Sequence, residues 1–135
     1  MEVINNYQSK QAPIDRQLTL MLWYGKYDEA AKLATNYLED PLHHYYKNVL
    51  EDKLQQFGSE FINNHKLPEA NKILAMGIKL FPESAKLHYT YAESLMMLGK
   101  RPEAVKFFET AISKDKTGTM AGKAISMISK LKSGN

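Results

Sequence analysis

Four histidines (His43, His44, His65 and His88) and fifteen acidic side chains are the groups with which this 135-residue chain would do acid–base or metal chemistry. Their spacing points away from both. His43 and His44 are adjacent, and neighbours on a helix point about 100° apart, so they do not converge on one ion. The acids of "LEDPL" (Leu38–Leu42) and "LED" (Leu50–Asp52) stand where helices are expected to start, which the helix dipole favours. There is no cysteine, which removes disulfides and thiolate zinc sites. No G-x-S-x-G elbow, Walker A loop, G-x-G-x-x-G turn or H-E-x-x-H pair occurs. The expectation is therefore no catalytic residue, no cofactor and no metal: this chain on its own is not an enzyme.

The charge pattern and hydropathy narrow the classes further. The net charge of +3 is uneven, because residues 101–135 carry seven basic and three acidic side chains while the preceding hundred are close to neutral. Lysines there suit the end of a solvated helix. No stretch reaches the 18 or so consecutive apolar residues of a membrane span, so no membrane contact is expected. The opening "MEVINNYQSKQAPID" lacks the apolar core of a secretory signal, which implies a cytoplasmic protein if the chain is complete. Its polar part, residues 1–10, reads equally as a lead or as the remnant of a linker to a further domain.

The elements that would position any binding residue are announced by repetition. "GKYDEAAKLATNYL" (Gly25–Leu38), "HKLPEANKILAMGI" (His65–Ile78) and "GKRPEAVKFFETAI" (Gly99–Ile112) align on Ala30, Ala70 and Ala104, the last two 34 residues apart. Large residues recur at i, i+3 and i+7 around each phrase, which predicts amphipathic helices and an all-α fold. Gly58, Ala92, Ala70, Ala104, Gly77 and Ala111 are small where antiparallel helices must approach closely. Gly99 suits a left-handed helix C-cap, which His65 takes less comfortably. Pro68 and Pro102 suit the first turn of the next helix.

A 34-residue period is that of the tetratricopeptide repeat. Residues 51–84 resemble that family closely: Leu54, Phe57, Gly58 and Phe61 on a first helix, Ala70, Leu74 and Gly77 on a second, then Pro82. Residues 85–118 are similar through His88, Tyr91, Ala92, Leu95, Ala104, Phe108 and Ala111, with Lys116 in place of the proline. Residues 11–44 fit loosely: Ile14, Met21, Ala30 and Tyr37 match, whereas Gln17, Leu18, Ala34 and Pro41 depart. The resemblance implies a right-handed α-solenoid over residues 11–135, with repeats at about 11–44, 51–84 and 85–118 and a capping helix at 119–132.

Expected helices run over about 14–24, 27–39, 42–64, 68–80, 85–97, 102–114 and 119–132. The third is long because helical spacing continues through six extra residues, "YYKNVL", so a single helix of roughly 34 Å from Leu42 to Asn64 would overhang the stack. Something must then cover Tyr46, Val49 and Leu50. Val3, Ile4 and Tyr7 are the favoured cover; the second helix of the first repeat and a second copy of the chain, making a homodimer, are the others.

The resemblance also implies which residues face the concave groove: Asp52, Gln55, Ser59, Ile62 and Asn63 from the second repeat, and Lys86, Tyr89, Glu93, Met96 and Met97 from the third. Asp15, Thr19, Leu22 and Trp23 follow from the first. Met96, Met97 and Trp23 would serve equally as core, and Trp23 is expected there. A lysine/asparagine clamp for a C-terminal carboxylate is not expected, since of Asp15, Thr19, Gln56, Lys86 and Thr90 only Lys86 matches. The leading expectation is a protein-interaction module that binds a peptide or partner domain in the groove. The alternative is a C-terminal accessory domain of a larger protein, such as a serine hydrolase or esterase. Nucleic acid is not expected, because the middle of the chain is near neutral and the groove contains Asp52 and Glu93.

Overall fold

A computed structural model describes residues 14–115 and 117–133. Among them are seven α-helices and no strand. They are α1 (Asp15–Trp23), α2 (Tyr27–Glu39), α3 (Tyr46–Asn63), α4 (Leu67–Leu80), α5 (Ala85–Met97), α6 (Arg101–Lys114) and α7 (Thr119–Ser133), with a 3₁₀ turn at Pro41–His43. None is long and apolar enough to cross a membrane. Two compact units divide inside α3, one up to Val49 and one from Leu50 onward.

Three turns share one hydrogen-bond pattern. The N–H groups of Gly99 and Lys100 donate to Met96 and Leu95 at 3.0 and 2.9 Å; His65 and Lys66 donate to Ile62 and Phe61 at 3.0 and 2.8 Å; Gly25 and Lys26 donate to Leu22 and Met21 at 3.3 and 2.8 Å. This is the Schellman arrangement, which ends a helix by turning one residue into the left-handed region. Gly25 and Gly99 do so at φ of 78° and 82°, and His65 at 62°. The residue that follows each one, a lysine in all three cases, accepts from the alanine four residues on: Ala30, Ala70 and Ala104 at 2.9–3.0 Å. The repeated phrase thus encodes a repeated turn.

In the first unit, α1 packs on α2 through Leu18, Leu22, Ala30 and Ala34. Tyr46 is only 1% exposed. Its hydroxyl donates to Asp15 Oδ1 at 2.5 Å, and its ring meets the edges of Tyr37 and Tyr45. Tyr46 is therefore covered by α1 and α2; Val3, Ile4 and Tyr7 lie outside the described residues. Burial and the hydrogen bond with Tyr45 push the Tyr37 phenol up to about 12.

The single helix expected from Leu42 to Asn64 is corrected. α3 starts only at Tyr46 and has 18 residues, a rise of about 27 Å. The break has local causes. Asp40 accepts the Leu42 N–H at 2.9 Å and Pro41 opens a 3₁₀ turn. His43 is then held back against α2: its Nδ1 bonds the Tyr37 carbonyl at 2.8 Å and its ring stacks on Tyr37 at 3.8 Å. Leu42 is consequently 82% exposed, and Tyr45 and Val49 also face outward, so the apolar spacing through this segment does not trace one buried face.

In the second unit, α5, α6 and α7 enclose Ala92, Leu95, Ala104, Phe108 and Ala124. α3 meets α4 at Gly58, where a Cβ would stand 2.4–2.9 Å from the three branch carbons of the buried Leu74. Gly77 similarly leaves room for Leu87 of α5, at 3.1 Å from the Cβ it lacks. The expected close approaches are present at both positions, and Ala92 is fully buried.

Candidate functional site

One face of α5 carries the site. Lys86, Tyr89, Thr90 and Glu93 stand at i, i+3, i+4 and i+7 and so line up along the helix. Ser84 starts the helix by accepting the Leu87 N–H at 3.2 Å. The opposite side of α5 is fastened by His88, whose Nδ1 bonds the Ser84 carbonyl at 2.8 Å and whose ring stacks on Phe107. That fastening turns the Lys86–Glu93 face toward an open cleft of about 430 Å³, completed by Gln55 of α3 and by Met120 and Lys123 of α7.

α7 reaches the cleft because Asp115 fixes its start. Asp115 Oδ2 accepts the N–H groups of Met120 and Ala121 at 2.7 and 2.8 Å, and Oδ1 accepts from the Thr117 N–H and hydroxyl. Desolvation pushes this carboxyl upward, but these four donors outweigh it and hold it below its ordinary value.

The polar groups on the wall are chained together. Gln55 Nε2 donates to Ser59 Oγ at 3.1 Å and to Thr90 Oγ1 at 3.2 Å, and the Thr90 hydroxyl donates to the Lys86 carbonyl at 2.9 Å. Lys86 pairs with Asp52 at the cleft edge, both half in water, where such pairs contribute little to stability. Tyr89 lays its ring edge-on against Phe108 at 5.3 Å. Burial, followed by the nearby Glu93 charge, raises its phenol. Glu93 is itself raised by burial, against an opposing pull from Lys123.

No protein-family model matches this chain, and neither does any curated protein.

Of the ten residues expected in a groove, Gln55, Lys86, Tyr89 and Glu93 line the cleft. Asp52 joins its edge through Lys86, and Ser59 supports Gln55. Ile62, expected to face the groove, is only 8% exposed and lies among the buried core residues. Met96 is half-buried against the α5–α6–α7 core. Asn63 and Met97 are exposed in the last turns of their helices and are not among the residues lining the cleft. In the first unit Leu22 is fully buried and Asp15 is bonded to Tyr46. Trp23, expected in the core, is 61% exposed.

Sequence reasoning missed Met120 and Lys123, and named Thr90 only as a clamp position that does not match. Thr90 was readable, since it lies four residues after Lys86 and three before Glu93. Met120 and Lys123 were not, because nothing local says that the first turn of α7 closes onto α5. Three of the four histidines have structural roles: His43 and His88 bond backbone carbonyls, and His65 is the left-handed turn residue. Among the described residues no three His, Asp or Glu side chains gather as a metal site would need.

Proposed function

We propose that this chain is a tetratricopeptide-type repeat module whose cleft along α5 binds an extended peptide segment of a partner protein. The observation that carries this reading is the cleft itself. It is walled by a hydrogen-bonded helix face, offers an aromatic ring and a thioether beside amide, hydroxyl and charged groups, and is open to solvent. Tyrosine and methionine supply contact area at low or adaptable conformational cost, while the Gln55–Thr90 chain fixes the polar groups before a ligand arrives. The helix bounds, the recurring Schellman turns and the small residues at Gly58 and Gly77 support the repeat-family reading. The same reading holds whether the module acts alone or as the accessory part of a larger protein.

The test is selection of binders from a random peptide display library, followed by amide-shift mapping on the isotope-labelled chain. Selected peptides are expected to perturb Gln55, Tyr89, Thr90 and Met120. Gln55→Ala combined with Met120→Ala is expected to weaken them about tenfold, the scale of losing one to two kcal/mol of interface contact. Shifts that map elsewhere, or binding indifferent to both substitutions, would sink the proposal.

A further inference from the structure

The cleft contains a half-buried charge that no described residue satisfies. Glu93 is half-buried, and among the described residues its carboxylate accepts no hydrogen bond and has no cation within ion-pair distance. Three of the neighbouring donors are committed. Gln55 Nε2 serves Ser59 and Thr90, the Thr90 hydroxyl serves the Lys86 carbonyl, and the Lys86 ammonium is neutralised by Asp52. Lys123 pulls against the burial of Glu93 from beyond ion-pair distance, as an exposed ammonium on α7. A partly desolvated carboxylate without a donor is costly, and an incoming cation that brings its own N–H groups recovers that cost. A guanidinium fits better than an ammonium: it is more weakly hydrated, it meets a carboxylate with two parallel N–H groups, and it lies well on an aromatic face. Tyr89 and Met120 line the same cleft and offer cover for the aliphatic stem of such a side chain.

We infer that the cleft takes its peptide through one arginine side chain, whose guanidinium pairs with Glu93 while its stem lies along Tyr89 and Met120, and that Lys123 competes for the same carboxylate. This rests on the peptide-binding reading above and adds the ligand's chemistry to it. It runs against the chain's net charge of +3, so non-specific attraction alone would select the opposite ligand.

The test uses the full chain and two capped nonapeptide libraries of equal complexity, one with arginine and one with glutamate fixed at the centre. Binding is read by competition and located by amide shifts. The arginine library is expected to bind about tenfold more tightly than the glutamate library. Glu93→Gln, an isosteric change whose fold is checked by circular dichroism, is expected to abolish that preference. Lys123→Ala is expected to strengthen arginine-library binding severalfold by removing the competitor. A preference for glutamate that Lys123→Ala weakens overturns the inference, as does an arginine preference that survives Glu93→Gln. If both libraries shift cleft residues equally and Glu93→Gln changes neither, peptide binding stands and the arginine inference falls. If neither library shifts a cleft residue, both fall.

Discussion

Replacing Gly58 by alanine adds one methyl group at the closest approach that any described glycine makes. That methyl would stand 2.4 Å from Leu74 Cδ2, 2.6 Å from Cγ and 2.9 Å from Cδ1. Carbon atoms rest at about 3.5–4.0 Å, so Leu74 or the helix must retreat by roughly 1 Å. Leu74 cannot swing into water, because it is fully buried, and the clash involves its branch carbon as well as its tips. Overpacking of this kind costs about 1–3 kcal/mol. The same substitution also removes a helix-interior glycine, a gain of about 1 kcal/mol that would blur the result. Gly122 supplies the control. It lies inside α7 with nothing within 4 Å of a built Cβ, so Gly122→Ala carries the propensity gain without the clash. Gly58→Ala is therefore expected to be less stable than Gly122→Ala by about 1–3 kcal/mol, whatever the exact propensity term. Urea unfolding followed by helical circular dichroism measures the difference. A double-mutant cycle with Leu74→Ala locates it, since Gly58→Ala should cost less once the Leu74 branch is gone. Equal stabilities for the two alanine variants would mean that α3 and α4 do not approach as described.

His65 sits at a φ of 62°, where a non-glycine residue costs about 1–2 kcal/mol. His65→Gly relieves this but loosens the unfolded chain, leaving an expected gain of about 0.5–1 kcal/mol in thermal or urea unfolding. Glu93 and Asp115 have opposite pH signatures. The folded-state pKa of Glu93 is raised above 4.5, so its contribution favours folding at low pH and is lost as pH rises through that raised value. Glu93→Gln should thus flatten the stability profile between the ordinary glutamate range and neutrality, and an unchanged slope there refutes a desolvated carboxyl. Asp115 is lowered below 3.8, so its stabilisation is present above that value and disappears as pH falls through the folded pKa. Asp115→Asn should remove this acid-limb loss, with helix signal recorded from pH 5 to 2.

Much of the architecture was legible because it is local. Helix periodicity, the proline and alanine positions after each turn, and the lysine that follows the left-handed residue all act within a few residues of themselves. Six of the seven helices consequently fall within a residue or two of their expected bounds. The strained His65 was legible for the same reason: it occupies the place that Gly25 and Gly99 hold in the other two turns. The third helix was misread where specific side-chain contacts outweighed periodicity, since the stacking of His43 on Tyr37 and its bond to the Tyr37 carbonyl stop a helix that the apolar spacing would continue.

The amino-acid sequence by itself determined the helices, their turns, the small residues at the close approaches and the face of α5 that bears Lys86, Tyr89 and Glu93. Tertiary structure alone decided what lies opposite that face. Asp115 places the first turn of α7, and with it Met120 and Lys123, beside α5. Burial decided that Ile62 belongs to the core and Trp23 to the surface, although both have the character of either. It also decided that Glu93 is a partly desolvated carboxylate with no donor among the described residues, whereas Asp52 is a solvated acid spent on Lys86. The physical reason is that hydrogen-bond satisfaction and desolvation depend on which helix lies opposite, and helical spacing carries no record of that.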